Sequence, residues 1–274
     1  MNMNIKELRP IIVGGGNLGG SVARGLYRAG ILPVAVELAG LNFDRLAAEG
    51  IEVVNSLDQA LAHSSGPIFI ALKPWLMKGY CEENAEQLSS RVCVSCAAMV
   101  DLAVLEAAAP KASWGRIMTN IASAVGSAFT GVVRGTWSSV QTETVTTLCQ
   151  TFGAAELVAE KDLDAITSLS GSGIAYVLEL LEGFIQGGLA VGLKSDLSLR
   201  VGVATVLGAA KLVKERDLHP AILKDNVCTP GGTTIAGIRS LQKAGFRSAF
   251  IEALAATAEK SKAGSEAFRA ASKK

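Results

Sequence analysis

The chain has 274 residues, a formal net charge of +1, and 49% hydrophobic residues. That length admits one large domain or two smaller ones, each with a sizeable core. The near-neutral balance gives no electrostatic ground for a nucleic acid or an acidic membrane surface as partner. The opening residues MNMNIKELRP lack the apolar stretch of a secretion signal. The most apolar helical pattern, VLELLEGFIQGGLAVGL, carries Glu179 and Glu182, so no membrane span is expected and the protein reads as cytoplasmic.

In chain order, RPIIVG (9–14) is a short apolar run ending in glycine, followed by a helical pattern from Asn17 to Ala29 with Gly30 at its C-terminal cap. PVAVEL (33–38), IEVV (51–54), GPIFIALKP (66–74) and RVCVSCAA (91–98) read as further strands, with a helical pattern near Phe43–Glu49 between two of them. Short strands are also expected near Ser113–Met118 and at Ala124–Gly131. Strands alternating with helices imply a parallel-rich sheet with helices on both faces, an α/β domain. After about residue 160 the strand pattern stops. Helices are expected over Asp162–Gly192, Ser195–Glu215, Pro220–Val227 and Thr233–Lys243, and from Gly245 towards Arg269. The expected division is an α/β domain over 1–160 and an all-α domain over 161–274. The glycines of the helical half, Gly183, Gly187, Gly188, Gly202 and Gly208, suit close helix contacts, within the chain or between copies.

Cys93 and Cys96 form a C-x-x-C, but on a strand residues three apart point to opposite faces. No second pair and no nearby His completes a ligand set, so no metal is expected.

Gly14, Gly16 and Gly19 form G-x-G-x-x-G between a strand and a helix. Gly14 suits the tight turn, Gly16 the approach of backbone to a pyrophosphate, and Gly19 close helix–strand packing. Asn17 and Leu18 complete this loop, and the helix N-terminus offers N–H groups to phosphates. Glu37 ends the second strand, near the spacing at which a carboxylate takes a ribose 2′-hydroxyl. That favours NADH, whereas Arg45 is a candidate for a 2′-phosphate, so NADPH and NADH both stand as expected cofactors.

A second Gly-rich turn, CTPGGTT (228–234), precedes a helical pattern, and Thr233 and Thr234 then stand at a helix N-terminus suited to a small carboxylate. SLSGSGIAY (168–176) is a second polar, Gly-rich interruption of apolar helical pattern.

LSGSG-x-AY, then LKDNV-x-TPGGTTIAG, then GFR resembles the pyrroline-5-carboxylate reductase family. GGGNLG, ALKP (Ala71–Pro74), VSCAA (Val94–Ala98) and RIMTN (Arg116–Asn120) agree with it over essentially the full length. The resemblance implies a Rossmann domain and a helical dimerisation domain, dimers often assembled into larger rings, and an active site shared across the dimer. It implies reduction of a small cyclic imino acid, 1-pyrroline-5-carboxylate, to proline by NADPH or NADH. It places Ala71, Leu72, Lys73, Pro74, Ala97 and Asn120 on the cofactor side. Ser172, Gly173, Thr229, Gly231, Gly232, Thr233 and Thr234 fall on the substrate side, with Thr234 near the imine nitrogen as proton donor or relay.

Three sites, four residues in all, depart from the family pattern. Ile174 stands where Pro is usual, Ile121-Ala122 where Thr-Pro is usual, and Met99 where Gly is usual. They leave two other readings open: a reductase for a different cyclic imine, or a nucleotide-binding homologue without activity.

Overall fold

The short apolar runs of the first half become strands of one sheet in the computed structural model, which describes residues 5–272. β1 (Ile11–Val13), β2 (Val34–Val36), β3 (Glu52–Val54), β4 (Ile68–Ile70), β5 (Val92–Ser95) and β6 (Ser113–Met118) all run parallel. β7 (Ala128–Val133) is antiparallel to β6, and β8 (Gly153–Leu157) runs parallel to β7 at the edge. The spatial order is β3-β2-β1-β4-β5-β6-β7-β8. Strand order reverses on either side of β1, where crevices form in such sheets.

Alternation along the strands divides the core in two. Ile11 and Val13 of β1 face one cluster, with Leu57 and Ala60 of α3 (Leu57–His63) and Met77 and Cys81 of α4 (Pro74–Glu83). Leu105 of α5 (Leu102–Ala108) joins the same cluster. Ile12 faces the other, with Val22 and Leu26 of α1 (Asn17–Arg28) and Leu46 of α2 (Leu41–Ala48). Val145 and Leu148 of α6 (Ser139–Gln150) complete it. Cys93 and Cys96 fall into different clusters, as the strand alternation requires. Local chemistry sets the helix starts: Pro74 occupies the first turn of α4, and Ser138 forms a capping box with Gln141 at α6.

The sequence reading does not place α3, α4, α5 or α6 individually, and three other elements differ from it. The strand expected at Ala124–Gly131 begins at Ala128. Asn120 Oδ1 accepts Ala122 N at 3.0 Å and starts a 3₁₀ turn, Ile121–Val125, which Gly126 ends at φ 73°. Edge strand β8, GAAEL, has no strong alternation and escapes detection. The helix expected over Asp162–Gly192 is broken into a 3₁₀ turn (Glu160–Asp162), α7 (Leu163–Ile166), a π turn (Thr167–Ser172) and α8 (Gly173–Ala190).

Two compact units result, one running to Ser172 and resuming from Thr257, the other spanning Gly173–Ala256. The second holds α8, α9 (Ser195–Arg216), α10 (Pro220–Val227), α11 (Thr233–Lys243) and the start of α12 (Phe246–Ser272). Within it Gly188 faces Ser198 and Gly202 faces Phe184, so the glycines let α8 and α9 meet closely. Its helices otherwise bury little: Phe184, Leu189, Val191, Leu207 and Val227 are exposed, and no residue of α10 or α11 is buried. An apolar hollow of about 720 Å³, whose walls include Tyr176, Phe184, Phe246 and Phe250, opens among these helices.

Candidate active site

Every residue expected on the cofactor side follows the C-terminal end of a parallel strand. Gly14–Gly19 follow β1, Glu37 follows β2, Ala71–Pro74 follow β4, Ala97 follows β5 and Asn120 follows β6. The ladder continues one step past the strands: Gly14 N donates to Val36 O at 2.9 Å, and Ala71 N to Val13 O at 2.8 Å. One sheet edge therefore gathers them beside the point where strand order reverses.

The glycine loop fits a dinucleotide on steric grounds. Gly14 sits at φ 93°, and a β-carbon there would lie 2.9 Å from the Ala71 carbonyl oxygen. A β-carbon at Gly19 would collide with the Gly14 carbonyl. At Gly16 it would meet nothing within 4 Å, so that side of the loop is open to a ligand. Gly16 is also the N-cap of α1 and supplies no side-chain cap, which leaves the first N–H groups of the helix for an anion.

Glu37 is half-buried and tied to this loop. Its Oε2 accepts Gly15 N at 2.6 Å, and its Oε1 accepts Leu38 N at 3.0 Å. Beside it a cleft of about 600 Å³ continues past Asn55 and Ser56 to Trp75 and Tyr80 of α4. Burial pushes the Tyr80 phenol well above its ordinary pKa.

Towards the middle of the sheet edge, Asn120 is a bracket. Its amide donates to Ser170 O at 3.2 Å and to Ser170 Oγ at 3.0 Å, while Ser170 Oγ donates to Phe129 O. These bonds hold the π turn that ends at Ser172; such turns recur at functional sites. Ser170 was not among the sequence candidates, and only its place inside SLSGSG pointed to it.

Arg116, 4% exposed, braces the loop after β5 from beneath. It donates to Glu160 at 2.7 Å and to Ala97 O at 3.4 Å and lies 3.6 Å from Asp101. Asp101 also takes Arg269 of α12, at 2.5 Å. The sequence alone gives Arg116 no role, because its partners are distant in the chain. Met99 lies in this loop at φ 65°, the conformation a glycine favours.

The remaining candidates, apart from Ser172 at the end of the first unit, belong to the second unit. Thr229, Pro230, Gly231 and Gly232 form a tight turn: Gly232 N donates to Thr229 O at 3.0 Å, and Gly231 sits at φ 67°. Pro followed by a positive-φ glycine is the signature of a type II turn. Gly232 is then the N-cap of α11, with no side-chain cap, and Thr233 and Thr234 form the first turn. The free N–H groups and two hydroxyls suit a small carboxylate. Gly173 is buried at the start of α8, and Ser172 ends the π turn before it.

Similarity to known proteins agrees with both halves of this description. Residues 160–264 match a family model described as pyrroline-5-carboxylate reductase dimerisation, and residues 10–99 one described as NADP oxidoreductase, coenzyme F420-dependent. Pyrroline-5-carboxylate reductase of Glycine max is 38% identical, over 91% of this chain and 93% of the relative. Pyrroline-5-carboxylate reductase 2 of Homo sapiens is 34% identical, over 89% of this chain and 80% of the relative. Among solved structures, Plasmodium falciparum pyrroline carboxylate reductase with NADP bound superposes with a TM-score of 0.86 at 26% identity. It covers 95% of this chain and 99% of its own. The Coxiella burnetii pyrroline-5-carboxylate reductase gives a TM-score of 0.82 at 26% identity, covering 94% and 98%.

Proposed function

The chain belongs to the pyrroline-5-carboxylate reductase family, and from that premise we infer that it reduces 1-pyrroline-5-carboxylate to L-proline with NADPH or NADH. It is an oxidoreductase acting on a C=N bond, and it self-associates through its helical part.

When bound, the reduced nicotinamide supplies the hydride that the imine carbon accepts. The work of the chain is to bind, orient and exclude water. The Gly14–Gly19 loop and the α1 N-terminus hold the pyrophosphate. Ala71–Pro74 and Ala97 flank the nicotinamide ribose, and Asn120 fixes the neighbouring π turn. Thr229, Gly231, Gly232, Thr233 and Thr234 take the substrate carboxylate, with Ser172 and Gly173 lining the same site. Thr234 orients the ring and relays a proton at the imine nitrogen. Positioning of this kind carries much of the rate enhancement in such a reaction. Residues 1–160 serve the nucleotide, and 161–274 serve the imino acid and the dimer. The dimers assemble into a larger ring, each site completed by the partner subunit, and the enzyme works in the cytoplasm. Among the described residues no helix is long and apolar enough to cross a membrane.

The observation that best supports the substrate assignment is the type II turn at Thr229–Gly232, which leaves the α11 N-terminus uncapped beside two hydroxyls. The test is direct. Purified protein given pyrroline-5-carboxylate should consume NADPH or NADH and form proline, identified by mass spectrometry. Loss of neither cofactor would sink the assignment.

A further inference from the structure

We propose that this enzyme is selective for NADH, and that Glu37 sets the selectivity by accepting the ribose 2′-hydroxyl and turning away a 2′-phosphate. The proposal rests on the reading of the Gly14–Gly19 loop as the dinucleotide site.

The carboxylate is fixed in place by the loop itself. Gly15 N and Leu38 N each hold one of its oxygens, at 2.6 and 3.0 Å. Each oxygen keeps a further lone pair, so a hydroxyl donor is welcome there. A 2′-phosphate has no such donor to offer at neutral pH. It would meet a like charge that cannot swing aside without giving up both backbone bonds. It would also compete with Glu37 for the Gly15 N–H, a donor an anion needs.

Among the described residues lining the cleft beside Glu37, Asn55 and Ser56 are neutral donors and no cation offsets the charge. The following residues, Leu38, Ala39, Gly40 and Leu41, carry neither a cation nor a hydroxyl, and Asp44 adds a negative charge in the first turn of α2. The adjoining cleft has two carboxylates on its wall, Glu37 and Glu83, and no Lys or Arg among its described lining residues. Of the two arginines that come next, Arg24 is directed elsewhere. Arg24 grips Glu49 with two bonds of 2.5 and 2.8 Å, and Arg45 sits in the field of the same carboxylate.

The test separates binding from turnover. Calorimetric titration with NAD⁺ and NADP⁺ should show NAD⁺ at least tenfold tighter, and kcat/KM should favour NADH over NADPH in the same sense. Glu37→Ser should shrink the affinity ratio at least tenfold. If that variant fails to fold by circular dichroism, Glu37→Gln keeps an acceptor for Gly15 N without the charge and should still narrow the ratio. Arg45→Ala should leave NADP⁺ affinity unchanged. Equal or tighter binding of NADP⁺ by the wild type, an unchanged ratio in the folded Glu37 variants, or a loss of NADP⁺ affinity in Arg45→Ala would each overturn the proposal. Binding of neither nucleotide would overturn it together with the cofactor site. NAD⁺ selectivity without turnover of pyrroline-5-carboxylate would leave it standing and remove the substrate assignment instead.

Discussion

The thioether of Met99 occupies the space that a side chain at Gly264 would need: a β-carbon built on Gly264 would overlap Met99 Sδ. Met99 is held at φ 65°, where a non-glycine residue costs roughly 1–2 kcal/mol. The bulk introduced at this position therefore has a seat on α12. Gly264→Ala alone should lower stability, because Met99 must move. In a Met99→Gly background the same change should raise stability by about 1 kcal/mol, the helix-propensity gain. Denaturant unfolding of the four proteins should give a coupling of roughly 0.5–3 kcal/mol. Additive effects would show that the two residues do not meet.

Gly19→Ala should disable the cofactor loop while leaving the sheet intact. The added methyl runs into backbone, the Gly14 carbonyl, which cannot step aside as a flexible side chain can. Dinucleotide affinity should fall by about tenfold or more, ~1.4 kcal/mol, in fluorescence titration. Unchanged affinity would remove the loop from the site.

Thr234→Ala should lower kcat by about a hundredfold if the hydroxyl relays a proton, the lower range for such a group. Thr234→Ser should keep most of the activity. A change confined to KM would assign Thr234 to carboxylate binding alone, and unchanged kinetics would exclude it from the site.

Glu52 introduces a pH dependence at the other edge of the sheet. The hydrogen bond from His63 is the largest effect holding its carboxyl below the ordinary value; burial opposes it, and Arg9 adds a further lowering. A lowered folded-state pKa means that the contribution is complete above the unfolded value and is lost as pH falls through the folded one. Melting temperatures of wild type and Glu52→Gln should differ most near neutrality and converge below the ordinary carboxylate range of about 4. A gap that widens with acid would reverse this sign.

The periodic parts of the fold were legible from residues alone. Pro220–Val227 and Thr233–Lys243 stand where Pro, Gly and the apolar pattern put them, and the G-x-G-x-x-G loop opens α1. Elements governed by side-chain-to-backbone bonds were not legible. Asn120 delays β7 by starting a 3₁₀ turn, and its amide then bridges fifty residues to Ser170. The polar, Gly-rich SLSGSG marks an interruption of the helical pattern, but nothing local in it distinguishes a π turn at Thr167–Ser172 from a loop or a helix start. Arg116 was hidden for a related reason: its partners Glu160 and Asp101 are assembled only by the sheet. The TPGG turn was visible because Pro and Gly there have one compatible geometry.

The helices α8–α11 keep only Gly173, Ser198 and Gly202 buried within a protomer. A segment this poor in interior cannot offset its own ordering entropy, which runs to roughly 1–2 kcal/mol per residue for the backbone. Its missing interior must come from another copy, so folding of this half and association are one equilibrium governed by mass action. The melting temperature should then rise with protein concentration, and dilution should cost activity and helical signal together. A concentration-independent melt would mean that the helical half stands alone.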